Sequence, residues 1–237
     1  MGKAPAAWQA VAVEAKGFMP ADEGMALYTA GLEVGQSGLG PFLEIGTYCG
    51  KSAVYLGAAA AEAGTVLFSV DHHRGSEELQ PGWPHHDPEV VDPVTGAIDT
   101  LPWARRTLKD AGLEAHVALV VARSTTLATW WSTPLSLLFI DGGHGAEVAA
   151  ADFASWVPFV AEGGLLAVHD VFADPHEGGQ VPYELYCGVR ASGEFEEAGG
   201  LGSLRLLRRR SPPPLPRSSS PGPAAGGCPD HAGDGSV

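Results

Sequence analysis

From Phe42 to Val171 the chain alternates between two kinds of pattern. Compact apolar runs occupy residues 42–45, 66–71, 117–122, 135–141 and 165–171, and several carry an acid at or near their ends. Each is leucine-rich or β-branched and of buried-strand length, which predicts strands covered on both faces. The stretches at 52–63, 102–111, 125–131 and 146–160 read as helices. Such alternation predicts an α/β fold with a parallel sheet and helices on both faces. Right-handed crossovers then bring every strand's C-terminal end to one rim, where side chains that do chemistry should gather.

The first run opens into Glu44-Ile45-Gly46-Thr47-Tyr48-Cys49-Gly50-Lys51-Ser52, followed by an alanine-rich helix. Gly46 and Gly50 permit positive φ and close backbone approach, as a nucleotide-like ligand lying on the loop requires. Two common phosphate sites do not fit. A P-loop has one residue more between its glycines, and Ile45 stands where its first glycine belongs; a dinucleotide fingerprint needs glycine where Tyr48 stands. What remains, Glu-x-Gly-x-x-x-Gly, resembles the first motif of class I S-adenosylmethionine (SAM) dependent methyltransferases. That resemblance implies a Rossmann-like fold with a mostly parallel seven-stranded sheet, and SAM as cofactor. SAM has no phosphate, so Lys51 is read as a solvated first-turn lysine. Asp71 closes the second run, about 20 residues past the loop, where doubly wound folds place a carboxylate on ribose hydroxyls. The alternative for Asp71 is a loop acid capping the next segment.

Two further strand ends carry polar side chains. Ile140-Asp141-Gly142-Gly143-His144 closes the fourth run and Val168-His169-Asp170 the fifth, so neighbouring strands would bring these groups together. Asp141 and Asp170 offer hard oxygen ligands suited to Mg²⁺ with retained waters. A divalent ion suits O-methylation because it lowers the pKa of an ordinary hydroxyl and holds its oxygen in line with the methyl donor. His144, on a glycine turn just after Asp141, is placed to accept the proton as general base. His169 is a third candidate ligand, although imidazole serves Mg²⁺ poorly; packing, orienting Asp170 or contacting the acceptor are its other roles. Asp141 could instead cap the following helix, His144 could be a solvated turn residue, and Asp170 a plain strand-end acid.

Residues 72–100 lack a periodic pattern and are too many for a simple crossover, which marks a lid or acceptor-binding insertion. His72, His73, Trp83 and His85 in this segment, with Tyr183 after the fifth strand, suit stacking on and hydrogen bonding to a sugar. Arg74 is a candidate for the SAM carboxylate. A transition-metal site is the alternative for the histidines, but His72-His73 and His85-His86 are adjacent pairs whose side chains diverge in extended chain. Tyr186 either completes the acceptor pocket or fills the core.

Glu44 to Ser52, Val70-Asp71-His72-His73-Arg74-Gly75-Ser76-Glu77-Glu78, Phe139 to His144 and His169-Asp170-Val171 together resemble the actinobacterial sugar O-methyltransferases, the methylmannose polysaccharide 1-O-methyltransferases among them. The resemblance implies methyl transfer to the reducing-end 1-OH of a short 3-O-methylated mannoside. It assigns SAM binding to Gly46, Ser52, Asp71 and Ser124, with Ser124 at the adenine edge after the third strand; Glu44, Ile45, Arg74 and Asp141 are further candidate cofactor residues. By analogy with macrolide sugar O-methyltransferases, metal binding and proton abstraction fall to Asp141, Asp170 and His144, with His144 the base and Asp141 beside it; His169 stays a further candidate metal ligand. Relatives carry two consecutive acids at the fifth strand, whereas this chain has His169-Asp170. A catechol or macrolide-sugar acceptor is the alternative substrate; a P-loop kinase and a noncatalytic SAM-binding module are alternatives of other classes.

Composition narrows the setting. The 237 residues, 45% hydrophobic and 18% charged, suffice for one domain. The expected organisation is an N-terminal helical segment over 1–34, the catalytic domain over 35–210 and a Pro/Ser/Gly-rich disordered tail over 211–237. A net charge of −14 without a basic stripe argues against nucleic acid as a partner. Cys49, Cys187 and Cys228 lack metal or redox spacing and fit reduced thiols. No stretch reads as a membrane span or leader, so a cytoplasmic protein with a small oligosaccharide substrate is expected. A homodimer through the N-terminal segment is compatible with this picture.

Overall fold

The computed structural model describes residues 7–211. The tail expected beyond 210 therefore lies outside the described residues, apart from Ser211. Two helices, α1 (Ala7–Glu14) and α2 (Ala21–Gly35), precede strand β1 (Phe42–Ile45) and helix α3 (Lys51–Ala63). The chain continues through β2 (Leu67–Asp71), α4 (Leu101–Asp110), β3 (Val117–Val121), α5 (Ser124–Ala128), β4 (Leu135–Ile140), α6 (Ala146–Trp156), β5 (Val160–Val168), α7 (Val181–Ala191), β6 (Phe195–Leu201) and β7 (Leu204–Arg209). The seven strands form one sheet in the order β3-β2-β1-β4-β5-β7-β6. β1 to β5 pair in parallel and β7 runs antiparallel to both β5 and β6.

Continuous apolar strands have two buried faces to fill, and side chains alternate between them. On one face Phe42, Leu67, Leu137, Phe139 and Leu165 meet α2 and α3 in a common core. On the other, Leu43, Val70, Leu138, Ile140 and Leu166 meet Phe153 and Trp156 of α6. α2 and α3 approach closely because glycines face alanines: a Cβ on Gly31 would sit 3.1 Å from that of Ala59. The N-terminal helices are thus built into the same core as the sheet. Among the described residues no helix is long and apolar enough to cross a membrane.

The largest departures from the sequence expectation fall at three places. The helix expected over 146–160 stops at Trp156, because Pro158 cannot continue it, and a 3₁₀ turn over Val157–Phe159 leads into β5. That strand begins at Val160 rather than 165 and carries an irregularity opposite Leu135 and Leu137. Helix α5 covers only Ser124–Ala128, after which Trp131 folds inward against Phe68 and Trp156. The insertion over 72–100 has structure of its own: short 3₁₀ turns at Glu77–Leu79 and Pro88–Val90, a bridge between Val91 and Ile98, and an apolar cluster joining Val90 and Ile98 to Cys49.

Candidate active site

The order of the sheet reverses between β1 and β4, and doubly wound sheets bind ligands in the crevice that such a reversal opens beyond the strand ends. The glycine loop and the Asp141 turn meet there. Gly46 adopts φ 96° and Gly50 φ 91°, as their freedom from a Cβ allows. A Cβ on Gly46 would lie 2.0 Å from the carbonyl oxygen of Asp141, so only glycine lets the loop seat against the end of β4. Asp71 holds the loop from the other side, accepting the backbone N–H of Tyr48 at 2.8 Å and that of His73 at 2.8 Å. Each carboxylate oxygen keeps acceptor capacity for a ribose-like diol.

Glu44 points from β1 into the face covered by α3 and is fully buried. The Ser69 hydroxyl donates to it at 2.5 Å, with the Thr47 hydroxyl 2.6 Å behind Ser69. Its Oε1 has no hydrogen-bond partner. Burial pushes its pKa up to about 8 against the opposing effect of the serine hydroxyls. An unpartnered oxygen on Glu44 fits a ligand that offers a hydrogen-bond donor, as the SAM amine does. Because the fold favours the protonated acid, its contribution to stability is complete below about pH 4.5 and is lost as pH rises toward about 8. Glu44→Gln should therefore flatten the pH dependence of stability across that interval, a difference of a few kcal/mol at about 1.4 per pKa unit. Urea unfolding of both proteins over the range measures it, and parallel curves would rule it out.

Asp141, His144 and Asp170 come together at the ends of β4 and β5, with one ligand atom from each within 4.8 Å of the others. His144 Nε2 stands 3.2 Å from Asp170 Oδ2, and its main-chain N–H donates to Glu78 Oε1 at 3.1 Å. The bond to Asp170 raises the pKa of His144, outweighing burial. Burial alone would raise Asp170, but His144 and His169 hold it well below the usual carboxylate range. Asp170 itself adopts φ 55°, a left-handed conformation uncommon outside glycine and found where surrounding structure enforces it.

His169 does not join the cluster as the expected metal ligand. Its ring is buried between carboxylates, Nδ1 at 3.1 Å from Asp141 Oδ1 and Nε2 at 2.8 Å from Glu23 Oε2. Burial opposes a charged ring, yet Asp141 and Asp170 prevail and raise its pKa to about 11. Both of its nitrogens thus stand within hydrogen-bond distance of a carboxylate. The third member of the donor set is His144. Two carboxylates on adjacent strands, backed by one imidazole, fit a divalent cation that retains waters.

The other expected site residues divide. Ile45 and Ser52 flank the glycine loop, both buried. The Ser124 hydroxyl donates a close hydrogen bond to Asp152 of α6, whose carboxyl is raised by burial and lies 3.2 Å from the position a Gly142 Cβ would take. Arg74 donates to the carbonyl of Ile98 at 3.1 Å. His73 is buried against Thr100, with its Nδ1 2.7 Å from the hydroxyl, so it braces the insertion instead of presenting a surface to an acceptor. His72 accepts the backbone N–H of Arg74. Trp83 and His85 are exposed, and His85 packs edge-on against Phe18 of the N-terminal segment. Tyr183 packs on the core beside Tyr186, whose hydroxyl donates to Glu197 at 2.5 Å. Burial pushes the Cys49 thiol up to about 12, which makes it a packing residue rather than a nucleophile. Glu23, Glu78 and Asp152 are polar groups at the site with no role expected from the sequence.

A parallel sheet reversed at its centre and finished by an antiparallel hairpin, with a glycine loop abutting an acidic turn, defines a Rossmann-like methyltransferase fold. Residues 43–171 match the family model described as a methyltransferase domain, and the chain belongs to that family. Solved structures agree in fold. The O-methyltransferase TomG from Streptomyces achromogenes, involved in tomaymycin synthesis and solved with SAM, is 15% identical over 82% of each chain with a TM-score of 0.56. The O-methyltransferase NovP is 17% identical over 78% of each chain, TM-score 0.60. The SAH-bound methyltransferase PaMTH1 of Podospora anserina is 15% identical over 86% of each chain, TM-score 0.56.

Proposed function

We propose that this chain is a SAM-dependent O-methyltransferase acting on a small hydroxylated acceptor, specifically the reducing-end hydroxyl of a short methylated mannoside. One observation carries the reading: Asp141 serves both halves of the site. Its carbonyl oxygen packs on Gly46 of the cofactor loop, and its carboxylate belongs to the cluster with His144 and Asp170. A ligand held by the loop is thereby adjacent to a base and two acids.

In this reading Gly46, Glu44 and Asp71 hold and orient the methyl donor. His144 takes the proton from the acceptor hydroxyl, and Asp170 stabilises the resulting imidazolium through the 3.2 Å contact. Asp141 and Asp170 would hold a divalent cation, which when bound supplies Lewis acidity toward the acceptor oxygen. Trp83, His85 and His72 on the insertion offer an aromatic and polar surface suited to a sugar.

The test is transfer from methyl-labelled SAM to a 3-O-methylated mannobiose and to a catechol in parallel, with and without chelator. Label on the mannoside, reduced by chelator, is the expected result. Label on the catechol alone moves the acceptor class, and transfer to neither overturns the proposal.

A further inference from the structure

Glu23 lies on α2, outside the matched residues 43–171, yet its carboxylate reaches the candidate active site. It is 5% exposed, and its oxygens are committed: Oε2 to His169 Nε2 at 2.8 Å and to the Ser203 hydroxyl at 3.1 Å, Oε1 to the Ser203 backbone N–H at 2.8 Å. The other edge of the same imidazole faces Asp141 at 3.1 Å and Asp170 at 3.5 Å. The ring is therefore clamped between an acid of the N-terminal segment and both acids of the cluster. The turn between β6 and β7 is shaped to the clamp, since a Cβ on Gly202 would strike Glu23 Oε1 at 1.9 Å.

We propose that Glu23 is a positioning residue of the methyl-transfer site, acting through His169 to hold the Asp141 carboxylate in its working orientation. The inference rests on the function proposed above. An unanchored imidazole can rotate about its side-chain torsions, and Asp141 then loses the donor that fixes one oxygen. Asp170, in its left-handed backbone conformation, loses part of the surroundings that enforce it. Outer partners of this kind are worth about 10–100-fold in activity. α2 and the hairpin turn at Ser203 thus become part of the catalytic frame.

Two routes test it without touching the cluster. Glu23→Gln keeps the size of the side chain while removing its charge, and Gly202→Ala displaces the carboxylate by contact. Both should lower kcat by about 10–100-fold and leave SAM affinity, measured by titration calorimetry, at the wild-type value. In NMR spectra of the wild type, His169 should show a solvent-protected imidazole N–H on Nε2, assigned by its loss in His169→Gln, and both variants should shift or lose it. Wild-type kcat in both variants, or an unmoved His169 resonance, overturns the inference. A wild-type chain that transfers no methyl group would instead overturn the proposed function, and the His169 resonance would still decide whether Glu23 holds the ring.

Discussion

Replacing His144 by alanine is expected to lower kcat for methyl transfer by about 10²–10⁴-fold and to leave SAM affinity unchanged. The side chain sits at the far end of the Asp141-Gly142-Gly143-His144 turn, outside the glycine loop proposed to hold the cofactor, so its removal should spare binding. Its orientation is fixed at both ends of the residue, by Glu78 on the main-chain N–H and by Asp170 on Nε2. Asp170 also raises its basicity. Asp170→Asn keeps the shape but withdraws the charge that favours an imidazolium, so a loss of rate is expected there too, smaller than for His144→Ala if the proton still goes to His144. Single-turnover rates with labelled SAM and calorimetric titration of SAM separate chemistry from binding. An unaffected rate would show that the proton does not go to His144, whereas SAM binding without any transfer by the wild type would return a noncatalytic SAM-binding module to first place.

Asp141, His144 and Asp170 could be found in the sequence because a buried strand is a run of apolar residues, and a polar tip on such a run stands out. The parallel topology then brings tips of neighbouring strands together. Gly46 was legible for the same reason, as a glycine breaking an apolar run before a helix. Glu23 was not: it reads as an ordinary acid in the first turn of α2, where such residues are common. Its partner His169 is 146 residues away, and only the closed fold joins them. Glu78 belongs to a 3₁₀ turn without periodicity, and Asp152 falls in mid-helix on α6 with no strand-end position to mark it. The same physics explains His169. Strand-end position marked it as part of the site, but its role depends on a second carboxylate that no local pattern reveals. β6 left little trace because six of its seven residues are exposed, so it lacks the apolar alternation by which strands are read.

Gly46→Ala tests the geometry on which both halves of the site depend. Two separate costs arise at this position. A backbone at φ 96° is strained for any residue with a Cβ, worth about 1–3 kcal/mol. The added methyl would also meet the Asp141 carbonyl at 2.0 Å, a backbone atom held in the sheet by the Asp141 N–H bond to Ile45 O at 2.9 Å. Neither partner can turn aside as a flexible side chain would, so the loop or the end of β4 must move. The expected destabilisation is about 3 kcal/mol or more, with SAM binding lost even where the variant remains folded. Gly64→Ala is the control: its φ of 74° carries the backbone strain, but nothing lies within 4 Å of the added Cβ. It should cost only about 1–2 kcal/mol and retain SAM binding. Denaturant unfolding and calorimetric titration of both variants give the comparison. If Gly46→Ala cost no more than Gly64→Ala and still bound SAM, the loop would not rest on Asp141, and the shared residue that joins cofactor site to base would be lost as an argument.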